Sequence, residues 1–442
     1  MKLKSGIGYE LEKKDVSRIG CDIHDFIKGL YPICRSITGD GVRATLKKIG
    51  EHIPIKIIEV PTGKKVFDWV IPKEWNIRDA YVKNGEGKKI IDMKKSNLHV
   101  LNYSMPIHKK MRLAELKEHL FTIPSQPDLV PYFTSYYKEN WGFCISHKQY
   151  TRLKEDIYEV HIDSEFKDGS LTFGEMYVKG LSKDEVLFST YICHPSLCND
   201  NLSGIGLLTA LGVYIKNSIP KYSYRFLFVP ETIGSIAWLY LNREKVRNIK
   251  LGLVATCVGD GGDFTYKKAR CSDALIDKIA LKALKDSKIP YKTVDFFPAG
   301  SDERQYSSPG FNLPVGSLMR TMYGDFPQYH NSADDLNFIK PIFLGESFEE
   351  YARIIYIIEN DATYLNKKPY CEPQLGRRGL YDTVGGKAEV DVGQLSLLSV
   401  LNYSDGKTSL LDISIRSGIV FDRIKQAADI LCKAKLLKKI GR

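Results

Sequence analysis

Hydrophobic residues follow two different spacings along the chain, and the two spacings alternate. Residues 185–192 carry apolar side chains on both faces of a predicted strand, which is the pattern of a strand that is buried on both faces. Residues 203–215 come next, with apolar side chains at helical spacing. The alternation continues with predicted strands at residues 224–229 and 251–258 and predicted helices at residues 235–241, 272–287 and 346–365. This order predicts an α/β fold, a mostly parallel sheet flanked by helices.

Two regions depart from this alternation. Residues 62–125 hold short strand-like pieces separated by Pro and Gly, which predicts a small β-rich domain inserted into the α/β domain. Residues 371–442 predict a C-terminal winged helix-turn-helix domain. Its three helical segments are expected at residues 394–402, 409–416 and 420–437. The α/β domain itself is then formed by residues 1–61 and 126–370.

The composition excludes several classes of protein. With 43% hydrophobic and 26% charged residues, the 442-residue chain is neither collagen-like, a coiled coil nor disordered. The longest apolar stretch, residues 205–215, is too short to cross a bilayer, so no membrane partner is expected. No apolar run follows the charged N-terminus, which predicts a cytoplasmic protein without a secretory signal. Nine Cys without a CxxC pair predict reduced thiols.

The charge of the chain is compatible with nucleic-acid binding but does not require it. The net charge is +11, and residues 391–442 contain nine basic against five acidic residues. The last predicted helix carries Arg423, Lys425, Lys433 and Lys435 together with a broad apolar face. Because that face must be buried, a role in protein docking or self-association is favoured over DNA binding.

Three loops that follow predicted buried strands hold most of the residues suited to chemistry. In a parallel sheet the carboxyl ends of the strands meet at one edge, where ligands bind. The first loop contains His194 and Asp200, and the second contains Glu231. The third contains Asp302 and, further on, His330. These side chains are therefore expected to face one cleft.

Structural explanations compete with a catalytic one. Asp200 could cap the helix that follows it, and Glu231 could stabilise a helix dipole. His194, taken alone, is better explained as a structural histidine. A cysteine hydrolase built on Cys193 or Cys198 is disfavoured, because a nucleophile and its base normally come from separate loops. Histidines and carboxylates gathered at one sheet edge are, by contrast, the ligands that zinc takes.

The motifs occur in a characteristic order. A strand-end His194 precedes residues 200–204, which read Asp-Asn-Leu-Ser-Gly; Glu231, Ser301-Asp302 and Tyr329-His330 follow. This order resembles the zinc aminopeptidase superfamily that includes bacterial leucyl aminopeptidase and glutaminyl cyclase. Residues 34–43 and 67–75 are also similar to a bacterial aminopeptidase-like subfamily that has an inserted β domain and a winged-helix tail.

The resemblance implies roles for these residues. His194, Asp200 and His330 are implied as metal ligands, and Glu231 as the general base. The groups implied to bind substrate or to support the site are Asp302, Arg304, Tyr306, Tyr329 and Asp260. The family usually has two consecutive acids where this chain has Glu231-Thr232, and the next strand offers no Asp before Asp260. One zinc ion is therefore favoured over two.

The expected function is that of a zinc-dependent hydrolase of the aminopeptidase type, acting on a small amide or peptide. Relatives of the subfamily are associated with surface-polysaccharide gene sets, so an aminoacyl or acylamino sugar derivative is an equal candidate. Arg304 could pair with a substrate carboxylate or form an internal salt bridge with Asp302 or Glu303. Two alternatives remain open: a metal-binding scaffold with weak or no activity, and a ligand-sensing regulator that acts through the tail. A homo-oligomer is compatible with both.

Overall fold

The computed structural model describes residues 13–271, 273–380 and 392–440. The chain divides into two compact units. Of the described residues, those up to 277 form the first unit together with 291–349, and residues 278–290 form the second together with those from 350 onward.

The helices and strands follow in chain order. The strands are β1 (Lys56–Pro61), β2 (Lys65–Val66), β3 (Trp69–Val70), β4 (Glu74–Lys83), β5 (Lys89–Asp92), β6 (Ile107–Arg112), β7 (Leu120–Phe121), β8 (Phe143–Cys144), β9 (Ile157–Lys167), β10 (Ser170–Val178), β11 (Glu185–Tyr191), β12 (Ser223–Val229), β13 (Ile249–Ala255), β14 (Phe264–Lys267), β15 (Tyr291–Val294), β16 (Val315–Met319), β17 (Thr363–Asn366), β18 (Asp405–Ser409) and β19 (Leu437–Ile440). The helices are α1 (Lys13–Leu30), α2 (Asp40–Gly50), α3 (Leu113–Lys117), α4 (His147–Thr151), α5 (Ser203–Ile215), α6 (Ile233–Asn242), α7 (Leu275–Ser287), α8 (Glu303–Tyr306), α9 (Pro341–Asn360), α10 (Val392–Tyr403), α11 (Leu410–Ser417) and α12 (Phe421–Lys433).

The first unit is built around an eight-stranded sheet of order β1-β10-β12-β11-β13-β16-β14-β15. Its four middle strands, β12, β11, β13 and β16, are parallel to one another. Every residue of β11 and of β12 is buried, because helices such as α5 and α6 pack on the sheet. The predicted α/β fold is confirmed, with antiparallel strands added at the edges of the parallel centre.

A second sheet in this unit has the order β5-β4-β9-β6 and is antiparallel throughout. Its inner face carries Ala80, Val82, Val160 and Ile162, which form a hydrophobic core of their own. Residues 62–125 supply three of its strands, and β9 supplies the fourth. The limits of an inserted domain remain a prediction, but this sheet includes a strand from beyond residue 125.

Two predicted helices have different ends in the structure. The helix expected at residues 346–365 spans Pro341–Asn360, because proline is favoured in the first turn and a strand, β17, begins at Thr363. The expected helix at residues 420–437 ends at Lys433, since Lys435 has a φ of 59° and β19 begins at Leu437. Ser272, the expected start of α7, lies outside the described residues.

The second unit contains a three-stranded sheet of order β18-β17-β19 and the helices α10, α11 and α12, which pack against one another. The buried Lys282 donates to the Ile419 carbonyl at 2.9 Å and pairs with Asp286 at 2.7 Å. Asp286 in turn accepts from the backbone N–H of Phe421 at 2.9 Å. These bonds fix the turn between α11 and α12.

None of the helices in the described ranges combines the length and the apolar character that a bilayer span requires.

Candidate metal centre

The loops at the carboxyl ends of the parallel strands carry the site. His194 comes three residues after β11, and Asp200 lies in the turn Cys198–Leu202 just before α5, where its backbone is not helical, with φ −114° and ψ 79°. Glu231 lies between β12 and α6, and His330 is in the long loop between β16 and α9. Asp200 does not cap α5, whose N-terminus has no side-chain cap, so this structural explanation for Asp200 fails.

The structure brings His194, Asp200 and His330 together. One ligand atom from each side chain lies within 4.8 Å of the other two. Nε2 of His330 is 2.9 Å from Oδ2 of Asp200, and within the described chain neither buried atom has another hydrogen-bond partner. Two imidazole nitrogens and a carboxylate oxygen facing one point are a donor set that zinc accepts. The residues present therefore fit a zinc ion.

A second group of potential ligands shares His194. It consists of Cys193, His194 and Glu231, with ligand atoms again within 4.8 Å of one another. Sγ of Cys193 is 3.3 Å from Nδ1 of His194 and accepts from the backbone N–H of Glu231 at 3.3 Å. From the sequence, Cys193 was considered only as a nucleophile. Its position directly before the strand-end His194 was the feature that could have indicated a potential metal ligand.

Buried polar groups hold the Asp200 loop in place. The Asp334 carboxylate accepts from the backbone N–H groups of Asn199 and Asp200 at 2.6 and 2.9 Å. The Tyr191 hydroxyl donates to Oδ1 of Asp200. Asp260 accepts from the Asn199 amide at 2.8 Å. Asp260 thus supports the neighbouring residue, and Asp334 is a supporting residue that the motifs did not reveal.

His194 is held from behind by Arg35, whose guanidinium is fully buried. Nε of Arg35 donates to the His194 carbonyl and Nη1 to the Leu30 carbonyl, both at 2.8 Å. Arg35 therefore ties the end of α1 to the ligand loop. This role of Arg35 was not predicted from the sequence, because a bond to a backbone carbonyl requires no particular partner residue.

Burial sets the protonation of these groups. It lowers the pKa of His194 to about 4, so the ring is neutral near pH 7, as a metal ligand must be. Burial raises the pKa of Glu231 well above its ordinary value, and the carboxylates of Asp302 and Asp200 raise it further. A cation bound nearby would lower the pKa of Glu231 again. Burial also raises the pKa of Asp302 to about 7.

A cavity of about 350 Å³ opens beside these residues. This volume falls within the range of roughly 300 to 1,000 Å³ that is typical of small-molecule sites. The lining residues are Ile37, Trp69, Tyr132, Thr134, Tyr136, Tyr137, Cys193, His194, Glu231, Thr232, Ile233, Arg304 and His330. The cavity is thus walled by aromatic side chains and contains two of the three candidate ligands.

The other predicted site residues lie in different places. Arg304 lines the cavity, and the Tyr329 ring stacks on His330 with centroids 3.9 Å apart. Asp302 accepts from Thr232 N–H at 2.7 Å and from the Ser235 hydroxyl at 2.8 Å, so it organises the Glu231 loop. Tyr306 is not brought to the cavity: it is fully buried, and its hydroxyl is 2.8 Å from the Ser189 hydroxyl.

This fold has known counterparts among peptidases. The structure of a zinc aminopeptidase from Bacillus subtilis aligns with a TM-score of 0.57 and 11% identity, over 79% of this chain and 96% of that one. A peptidase M28 precursor from Shewanella amazonensis aligns with a TM-score of 0.52 and 12% identity, over 78% and 96% of the chains. At such identities only the fold is shared. The fold class is that of the aminopeptidases.

The family follows from the sequence. Residues 24–361 match the family described as a domain of unknown function, DUF4910, and the chain belongs to that family. Residues 362–439 match a winged helix-turn-helix family, which confirms the predicted tail.

Two relatives come from Clostridium acetobutylicum. One, provisionally named as a polysaccharide biosynthesis protein with an aminopeptidase-like domain, is 55% identical over 96% of this chain and 98% of its own. A crystal structure, provisionally described as that of a peptidase, aligns with a TM-score of 0.92 and 54% identity over 97% and 98% of the chains.

Proposed function

We propose that this protein is a zinc-dependent hydrolase that cleaves a small amide or peptide. The observation that carries the proposal is the convergence of His194, Asp200 and His330. Oδ2 of Asp200 and Nε2 of His330 are buried and, among the described residues, contact each other and no other hydrogen-bonding atom. Buried polar atoms in folded proteins nearly always have hydrogen-bond partners. Two buried ligand atoms that have only each other are therefore expected to bind a ligand. One zinc ion at these three residues is the simplest ligand that fits.

Glu231 is the proposed general base. Its Oε2 lies 3.9 Å from Nε2 of His194, and its side chain is 27% exposed, so it borders the cavity while remaining accessible to water. When bound, zinc would supply Lewis acidity and lower the pKa of a water molecule. Glu231 would accept a proton from the attacking water and return it to the nitrogen that leaves as the amide bond breaks. The products are a carboxylic acid and an amine.

The substrate is proposed to come from surface-polysaccharide metabolism. The name of the Clostridium acetobutylicum relative supports this assignment. An aminoacyl or acylamino sugar derivative would suit the cavity, because aromatic side chains such as Trp69 and Tyr137 at its edge are partly exposed and offer flat apolar surfaces.

Elemental analysis combined with hydrolysis assays tests the proposal. The full chain is expected to bind about one zinc ion, and His330→Ala to bind almost none, because three protein ligands would fall to two. Glu231→Gln is expected to retain zinc. Its rate of hydrolysis of an amide that the wild type cleaves should fall by a factor of about 10² to 10⁴. His108→Ala, at a side chain that is 67% exposed, is the matched control and should change neither quantity.

Two outcomes would contradict these assignments. Equal zinc in the wild type and in His330→Ala would remove His330 from the site. Loss of zinc in Glu231→Gln would make Glu231 a ligand, and the base would then have to be sought elsewhere, with Asp302 as the next candidate. If the protein binds zinc but hydrolyses no dipeptide, aminoacyl amide or N-acetylated amino sugar, the hydrolase proposal fails and the alternative of a metal-binding scaffold is supported.

A further inference from the structure

Arg304 stands at the wall of the cavity without an acidic partner. Its Nη2 donates to the Thr232 hydroxyl at 2.9 Å, and its Nε is buried with no hydrogen-bond partner among the described residues. The described part of the chain places no carboxylate within ion-pair distance of its guanidinium. An arginine in such a position retains most of its five donors for something else.

The neighbouring acids that could neutralise Arg304 are engaged elsewhere. Asp302 turns to Thr232 N–H and the Ser235 hydroxyl. Glu303 pairs with the fully buried Lys267 at 2.7 Å. The internal salt bridge that the sequence allowed for Arg304 is therefore not formed. A ligand with negative charge would satisfy the Nε donor of Arg304, which is buried without a partner among the described residues.

The charges in the cavity favour an anionic ligand over a cationic one. Glu231 is the carboxylate among the lining residues, and its proposed role as base leaves it unavailable for pairing with a substrate ammonium group. A free amino group placed here would be repelled by Arg304, whereas a carboxylate would be attracted.

The aromatic wall strengthens this selection. The hydroxyls of Tyr132 and Tyr136 are 3.2 Å apart, and both side chains lie mostly out of water. In such surroundings an ionic hydrogen bond is stronger than in water, and an unpaired charge is correspondingly costly. Arg304 would thus discriminate strongly between a charged and a neutral group of equal shape.

We propose that Arg304 binds a carboxylate of the substrate, so that the preferred substrates are N-acyl compounds that carry a carboxylate rather than peptides with a free amino terminus at this position. This inference rests on the proposed hydrolase function for the identity of the scissile amide. The binding of the carboxylate itself depends only on Arg304 and the cavity.

The test uses the full chain and pairs of probes that differ only in charge. The probes are N-acetylglycine, N-acetyl-L-alanine, N-benzoylglycine and N-acetyl-L-phenylalanine, each with its primary amide, and binding is measured by titration calorimetry. We expect at least one acid to bind the wild type ten- to a hundredfold more tightly than its amide, as a charge-assisted bidentate contact predicts. Arg304→Gln should reduce this preference to less than threefold, and Arg304→Lys should retain part of it.

A control separates this inference from the proposed function. Arg243→Gln, at an exposed arginine whose Nη1 donates to the Tyr240 carbonyl, should leave the preference unchanged. His330→Ala, which is expected to lose zinc, should still prefer the acids. If no acid is preferred by the wild type, or if the preference survives in Arg304→Gln, the inference is overturned. If the preference is present but no zinc is bound, the inference stands and the hydrolase proposal fails.

Discussion

Polar side chains in the loops of the candidate metal centre differ from those in the helices of the winged-helix tail in how they find hydrogen-bond and ion-pair partners. Among the described residues, Oδ2 of Asp302 and Nε of Arg304 in the loops are buried without a hydrogen-bond partner, and Oδ2 of Asp200 meets only His330. In the tail, Lys425 pairs with Asp429 at 2.6 Å, and Asp422 accepts from Gln426 at 2.7 Å. The charged side chains of α12 thus find partners on their own helix, and the one buried side-chain oxygen without a partner in the described part of the tail is the uncharged Oγ of Ser404.

Paired side chains such as those on α12 stabilise the fold, whereas unpartnered buried atoms such as those in the loops destabilise it. A buried polar atom without a partner destabilises the folded chain by about 1 to 3 kcal/mol. Such atoms concentrate at the carboxyl ends of β11, β12 and the neighbouring strands, where the rest of the sheet is well packed. The surrounding core offsets the cost, and the unpartnered atoms coincide with the candidate metal centre.

The largest expected effect breaks a buried pair on α7 that holds the turn between α11 and α12 of the tail. Lys282→Ala leaves the Asp286 carboxylate buried with one backbone donor, and we expect the tail to lose about 3 kcal/mol of stability. Hydrogen exchange of the amides in α11 and α12 should accelerate about a hundredfold, while amides of β11 and the zinc content remain unchanged.

Lys278→Ala is the matched control on the same helix, since Lys278 is 53% exposed and lies 3.9 Å from Asp412. It should cost less than about 1 kcal/mol. Equal exchange rates in Lys282→Ala and the wild type would mean that the buried pair contributes nothing to the tail.

The next effect concerns the support of the metal centre. Asp334→Ala removes the acceptor for two backbone N–H groups around Asp200, and we expect zinc affinity to fall by about 10- to 100-fold, as for other residues that orient metal ligands. Asp334→Asn retains one acceptor oxygen and should lose less. Competition with a chromogenic chelator measures both, and Asp325→Ala, at an exposed side chain, is the control. An unchanged affinity in Asp334→Ala would show that the loop holds its shape without this carboxylate.

The smallest effect is expected on the surface of α12. Arg423 and Lys433 are exposed there, but so are Asp422 and Asp429, and acidic side chains repel phosphate. Replacing both basic residues by Ala should change the affinity for a 30-base-pair DNA duplex by less than about threefold in anisotropy titrations. A tenfold loss with a shallower salt dependence would instead assign α12 to nucleic acid.

Protein docking stays a prediction for the tail, and the observation that bears on it is a set of exposed apolar side chains. In the described part of the tail they are Leu395, Tyr403, Ile415, Ile430 and Ile440, between 36% and 45% exposed.

The sequence predicted the parallel centre well because a strand buried on both faces is apolar at nearly every position. The ends of α5 agree with the structure to the residue, whereas α9 was displaced by five residues because β17 continues the apolar pattern beyond the helix. Local backbone geometry, such as the left-handed Lys435 that ends α12, leaves no mark in hydrophobic periodicity.

The site was predictable to the extent that it lies at strand ends. His194, Asp200, Glu231 and His330 could be expected to converge, because parallel strands end at one edge, although their roles stay predictions. Arg35 and Asp334 could not be found in this way, since both act on backbone atoms that every residue possesses. The position of Tyr306 away from the cavity could not be predicted either, because proximity in sequence to Asp302 does not decide which way a side chain points.

The strand β17 belongs to the sheet of the tail, although it lies before residue 371 in the chain. It is the middle strand of its sheet and pairs with β18 on one side and β19 on the other, yet it precedes all three helices of the winged-helix fold. A gene fragment that began at residue 371 would encode both outer strands without the strand that joins them. Exchange of this tail between proteins during evolution would therefore require a crossover upstream of Thr363, within or before the end of α9.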